Sequence, residues 1–429
     1  TPWTNDPVVN RPGEAFYVKD RERGTVMTPF AALSRKPSVK FETWHGLGYT
    51  AFRSWEDGIE LDLVQTLDPE DPVKYSRLVV KNTGESDRSL SVFGYVEWVL
   101  GNNPGKTAPF VLTSHDEESG TLFATNPYSV EFAGRTSFFA VDAPLSGFTA
   151  RRRDFIGRTG DIVLPAALAT GQPLSGNADG IGDPYAALPV DITLKPGEKR
   201  ELLFVLGDTA DADDARALAG KARAVDFDAV MASVRAFWQG FADTLQVKTP
   251  DAALDRMLND WLPYQALGCR IMARTAFYQA SGAYGFRDQL QDTLAFILHR
   301  PELARQQILN AAARQFVEGD VQHWWLPDSG AGVRTMISDD VVWLAHAVEH
   351  YGRVTGDRAI LDERLSFIEG PPLAEGQHDS FYKPGRSAED APLYEHCARA
   401  LDLAIARTGE NGLPLILGGD WNDGMNRVG

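Results

Sequence analysis

The hydrophobic period changes once along this chain, and that change limits the fold to a β region followed by an α region. From about residue 41 to residue 207 apolar and polar positions alternate, in stretches at 58–67, 73–82, 89–100, 121–126, 136–143 and 190–206. Turn signals at Asp68-Pro69, Asn82-Thr83-Gly84 and Lys195-Pro196-Gly197 separate them. Many strands with no helix between them predict an antiparallel β-sandwich domain over 1–207. Residues 1–40 read as irregular, and the Gly-, Ala- and Pro-rich passage 157–188 reads as a long loop across the sandwich.

Beyond residue 207 the period is 3.6. Segments 211–224 and 227–241 predict a helical linker over 208–250. Residues 251–429 then predict helices at 252–274, 287–299, 302–317, 339–354, 358–368 and 388–407, with short breaks and no strands. Pro301 suits a first helical position, and Ser338 before Asp339-Asp340 suits an N-cap with an acidic first turn. Such a series predicts helical hairpins in a ring or a superhelix. No short repeat is visible.

Charge and cysteine content narrow the function. The formal net charge is −17 with no basic cluster, so nucleic acid is not an expected partner. No apolar run reaches the roughly 18 residues of a spanning helix, and no charged-then-apolar leader opens the chain. Cys269 and Cys397 sit in helix-like apolar settings, implying neither a disulfide framework nor a zinc site, and a cytoplasmic location is expected. The start at Thr1, without Met, reads as that of a piece of a longer protein.

The stretch richest in chemistry is Gly419-Asp420-Trp421-Asn422-Asp423-Gly424. A carboxyl beside an indole holds its proton more tightly, which suits protonating a glycosidic oxygen while a sugar rests on the ring. A glycine-rich turn with an Asp cap and a core Trp is the plainer reading. Other segments mix aromatics with Arg, Asp, Gln or His at helix ends: 278–292, 320–327 running into 332–335, and Glu395-His396. If the helices form a ring, these loops converge on one polar, aromatic-lined pocket fit for a polyhydroxylated substrate.

Several of these motifs, in order along nearly the whole chain, resemble glycoside hydrolase family 94, the inverting phosphorylases. They are Thr1-Pro2-Trp3-Thr4-Asn5-Asp6-Pro7, Gly94-Tyr95-Val96-Glu97-Trp98, Glu131-Phe132-Ala133-Gly134-Arg135 and Phe277-Tyr278-Gln279. Residues 281–292 (Ser-Gly-Ala-Tyr-Gly-Phe-Arg-Asp-Gln-Leu-Gln-Asp), 320–325, 332–335, 394–397 and 419–426 complete the set. Within the family the likeness is to the phosphorylase-like region of cyclic β-1,2-glucan synthases and to 1,2-β-oligoglucan phosphorylases.

The resemblance implies a β-sandwich, a helical linker and an (α/α)6 barrel whose loops hold the sugar. It implies Asp423 as general acid, with Arg287, Asp288 and Trp421 at the non-reducing-side sugar subsite. Gln322, His323, Trp325 and Arg334 are further substrate-binding candidates from loop position. It implies a β-glucan oligosaccharide and inorganic phosphate as substrates, no cofactor, no metal, and pairing into a homodimer through the sandwich. The resemblance is also compatible with a membrane-bound parent protein. An inverting hydrolase needs two carboxyls; phosphate is already an anion, so a phosphorylase keeps only the acid. A full ring needs about twelve helices and about six are read, so only the first half of the barrel is expected. The phosphate donors would lie C-terminal to residue 429, and the chain alone would not turn over. Two alternatives stay open: a hydrolase with Asp288, Asp339 or Asp340 as base, and a glucan-binding or chain-length module using Trp324, Trp325 and Trp421.

Overall fold

The computed structural model describes residues 12–101, 104–128, 133–272, 282–327 and 329–418. These fall into two compact units, residues 1–238 and 239–429.

Thirteen strands build the first unit among the described residues. They are β1 (Glu14–Asp20), β2 (Val26–Met27), β3 (Lys40–Gly46), β4 (Tyr49–Glu56), β5 (Ile59–Leu67), β6 (Val73–Asn82) and β7 (Arg88–Glu97). There follow β8 (Leu112–Asp116), β9 (Thr121–Thr125), β10 (Thr136–Val141), β11 (Thr149–Arg151), β12 (Pro184–Leu194) and β13 (Lys199–Thr209). One sheet runs β11-β12-β7-β1-β2 and the other β3-β4-β5-β6-β13-β10-β9-β8, with antiparallel pairing throughout. The predicted sandwich is therefore present. Phe16, Val18, Leu61, Leu63, Leu78, Val80, Val92, Leu188 and Phe204 form its core. Gly94 allows the close approach: a Cβ there would fall 2.6 Å from the Phe204 ring.

Two expectations are corrected in this unit. Residues 14–20 are a strand, not irregular: β1 is buried on both faces, so Glu-Ala-Phe-Tyr-Val-Lys-Asp shows no clean alternation. Passage 157–188 is not simply a loop. Helical turns at Arg152–Phe155 and Ala166–Thr170 bring Phe155 and Leu168 over Tyr17, Phe93 and Tyr95 on the outer face of the five-stranded sheet, and β12 begins at Pro184. Helix α1 (Ala212–Arg223), capped by the Asp211 carboxylate on the N–H groups of Asp213 and Asp214, packs on β10 and β13. Helix α2 (Phe227–Ala242) contains the boundary between the units.

The second unit is helical with small sheets. Residues 252–272 wind as short α and π turns. The longer helices are α3 (Phe286–Leu294), α4 (Pro301–Ala312, with Pro at its start), α5 (Asp340–Thr355) and α6 (Leu393–Ala406). Phe286, Leu290, Ala304, Ile308, Leu344, Ala347, Tyr351 and Leu393 make the core between them. The expected absence of strands is wrong. A four-stranded sheet joins β14 (Tyr284–Gly285), β15 (Gln322–Trp325), β16 (Gly332–Thr335) and β18 (Asp379–Tyr382), while β17 (Arg364–Glu369) pairs with β19 (Gly385–Pro392). Residues 358–368 thus form one tight turn and a strand rather than a helix. Leu365 and Phe367 alternate over too few residues for a period to be read. The helix predicted from 388 starts only at Leu393, because Pro392, in extended backbone, closes β19.

Candidate functional site

Two helix N-termini and the edge of the small sheet bring most of the candidate polar residues together. Arg287 and Asp288 lie in the first turn of α3, entered through Gly285 of β14, which pairs with Trp324 of β15. Asp339 and Asp340 open α5. Carboxylates are stabilised there by the helix dipole. Arg287 Nη1 lies 2.7 Å from Asp339 Oδ2, with both side chains largely shielded from water. His323 Nδ1 lies 2.8 Å from Asp340 Oδ2, and the Asp340 carboxylate is buried. With its proton on Nδ1, His323 donates to Asp340.

Ser338 does not cap α5. Its hydroxyl donates instead to the Ile416 carbonyl at 2.9 Å, and Asp339 occupies the cap position. Ile337 and Leu417 form an antiparallel bridge, and the Gly418 N–H donates to the Met336 carbonyl at 3.2 Å. The chain that leads into the Asp-Trp-Asn-Asp stretch is thereby sewn to the three residues before Asp339. Trp421 and Asp423 lie outside the described residues, as do residues 1–7, 131–132, 277–279, 281 and 419–426 of the quoted motifs.

The remaining candidates are held inside the unit. Trp325 is 2 % exposed; its ring packs against Tyr284 and carries the Arg314 guanidinium at 5.6 Å. Gln322 is buried, donates to the Gly330 carbonyl, and keeps its Oε1 without a partner. Arg334, 3 % exposed, grips Asp320 with Nε and Nη2, both at 2.7 Å. Its Nη2 also reaches Glu318, its Nη1 the Gly370 and Pro371 carbonyls, and its plane lies 3.9 Å over Phe316. Burial works against this charge, but Asp320 outweighs it and holds the guanidinium above its ordinary pKa. Trp324 presents a half-buried ring against Phe381 across Val333, where sequence reasoning named only the tryptophan.

Two residues lay inside the quoted motifs without their structural role being read. Gln289 is fully buried, accepting from the Gly285 N–H at 2.7 Å and donating to the Arg270 carbonyl at 3.0 Å, so it fixes the turn that presents Arg287 and Asp288. Asp320 anchors Arg334. Pro327-Asp328-Ser329-Gly330 is a turn signal between two apolar runs, and reading 322–335 as a hairpin places Gln322 opposite Arg334, with Asp320 two residues away.

Comparison with known proteins covers both units. Residues 1–225 match the family model for the glycosyl hydrolase 94 supersandwich domain, and residues 237–429 that for the glycosyl hydrolase 94 superfamily catalytic domain. The chain is 61% identical over its whole length to the cyclic beta-(1,2)-glucan synthase NdvB of Rhizobium meliloti, of which it covers 15%. It is 27% identical over 96% of its length to 3-O-beta-D-glucopyranosyl-beta-D-glucuronide phosphorylase of Paenibacillus borealis, covering 52% of that protein. It is 25% identical over 98% of its length to N,N'-diacetylchitobiose phosphorylase of Vibrio furnissii, covering 54%. The chain thus spans about half the length of these phosphorylases and a smaller part of the synthase. Among solved structures, a bacterial glucoamylase complexed with acarbose shares the fold at a TM-score of 0.56 and 11% identity, over 79% of this chain and 50% of that one.

Proposed function

The chain belongs to glycoside hydrolase family 94, and from that premise we propose that it forms the sugar-side part of an inverting phosphorylase acting on β-linked glucan. In this reading the second unit is the first half of an (α/α)6 barrel. Asp423, protonated, gives its proton to the glycosidic oxygen as that C–O bond breaks. An oxygen of inorganic phosphate attacks the anomeric carbon from the opposite face. The products are α-glucose 1-phosphate and a shortened glucan, and Asp423 regains a proton from solvent. The reverse direction lengthens the glucan. Arg287, Asp288 and Trp421 hold the sugar on the non-reducing side, with His323 beside them.

The observation that carries the reading is the stitching of 416–418 to 336–338 beside the Arg287–Asp339 and His323–Asp340 pairs. Asp423 is five positions beyond Gly418, a reach of at most about 18 Å. The hydrolytic alternative would take its base from Asp288, Asp339 or Asp340, and it predicts cleavage without phosphate. The β-1,2 linkage is supported by the 61% identity to a protein named as a cyclic beta-(1,2)-glucan synthase. That identity also favours a second reading, a glucan-binding module within a synthase.

Asp423→Asn in the intact protein tests the proposal. It should abolish phosphate-dependent release of glucose 1-phosphate while leaving glucan affinity within about threefold. Turnover undiminished in the variant would refute the role of Asp423. Glucan binding without any turnover in the intact wild type would favour the module.

A further inference from the structure

A cleft of about 380 Å³ opens between the end of α4 and the β17–β19 strand pair, and it shares no lining residue with the Arg287–His323 cluster. Arg314, Arg364, Lys383 and Arg386 line it, against one carboxylate, Asp390. Such a concentration stands out in a chain whose formal net charge is −17.

The charges are not equivalent. Arg364 is committed to Asp390, with Nε–Oδ2 and Nη2–Oδ1 both at 2.9 Å. Arg386 uses Nε on the Ser366 hydroxyl at 3.1 Å, and Lys383 is exposed on the turn between β18 and β19. Arg314 is half-buried over the Trp325 ring, and among the described residues no carboxylate or carbonyl pairs with its guanidinium. Gly330 makes room for it: at φ 73° that residue has no Cβ, and one would sit 3.0 Å from Arg314 Nη1.

A half-buried guanidinium without an anion carries a desolvation cost that an incoming oxyanion would relieve. Its planar fork suits two oxygens of one tetrahedral group, and Lys383 and Arg386 at the mouth add attraction for a multiply charged ligand. We propose that this cleft binds a phosphate-type oxyanion, as inorganic phosphate or as a phosphomonoester. The volume leaves room for an organic group beside the phosphate.

Calorimetric titration of the intact protein with inorganic phosphate, and separately with α-glucose 1-phosphate, tests this. Binding should weaken about tenfold or more in Arg314→Gln and in the double variant Lys383→Gln/Arg386→Gln. The double variant should keep phosphate-dependent release of glucose 1-phosphate, which separates this site from the proposed reaction centre. The tighter of the two ligands identifies the source. The double variant alters only exposed side chains, so it carries the test even where Arg314→Gln fails to fold. Affinity within twofold of wild type in the double variant overturns the proposal. So does equal displacement of phosphate by chloride at matched ionic strength.

Discussion

Replacing Arg334 with Gln separates a structural role from a sugar-binding one. The guanidinium is 3 % exposed, and Nε, Nη1 and Nη2 are all engaged by Asp320, Glu318 and the Gly370 and Pro371 carbonyls. Removing it leaves the Asp320 carboxylate, whose side chain is 10% exposed, buried without its counter-charge. Breaking a buried pair from one side costs about 3–5 kcal/mol. Loss of the contact over Phe316 adds about 1 kcal/mol. For a unit of this size each kcal/mol lowers Tm by about 2–4 °C, so the melting of the helical unit should fall by about 8–24 °C. Differential scanning calorimetry, with hydrogen exchange of β15 and β16 to assign the transition, measures it. The double variant Arg334→Met/Asp320→Leu should regain most of the loss, because it leaves no charge stranded. A loss below about 1 kcal/mol, together with a tenfold fall in glucan affinity, would refute this reasoning and return Arg334 to the sugar site.

Three further outcomes are expected. A double-mutant cycle of Arg287→Gln and Asp339→Asn should show a coupling of about 1–3 kcal/mol in urea unfolding, and additivity would mean the pair is not formed. Cys269 is exposed while burial pushes the Cys397 thiol up to about 12, so a thiol reagent at pH 8 should label one cysteine at once and the second only on unfolding. Equal labelling rates would contradict the packing of α6. Burial holds His396 below its ordinary pKa, so the unfolded chain binds its proton first. Stability from this residue is therefore fully present above about pH 6.5 and declines as pH falls below it; His396→Asn should flatten that decline, and an unchanged profile would refute the assignment.

The sandwich was legible because β5 and β6 each bury one face more than the other and its strands are separated by Pro and Gly turns. β1 was not, since burial on both faces removes the alternation that marks a strand. In the second unit the long helices α4, α5 and α6 were found from their apolar spacing. The short strands were missed because two to eight residues, some as polar as Gly-Arg-Ser-Ala-Glu-Asp-Ala-Pro, carry no usable period. The site was legible in its residue types rather than in its pairings. Arg287, His323, Asp339 and Asp340 were all singled out, but only folding reveals which carboxylate meets which cation. Trp325 and Arg334 show the opposite limit: an aromatic and an arginine in a promising loop segment proved to be packed and fully engaged.

The central claim is that phosphate, not water, accepts the glucosyl group. Phosphorus NMR of the intact protein incubated with β-1,2-glucan oligomers and inorganic phosphate tests it most directly. The account predicts a growing resonance of the α anomer of glucose 1-phosphate and no free glucose when phosphate is left out. Glucose released at the same rate with and without phosphate, and no phosphate ester formed, would contradict it.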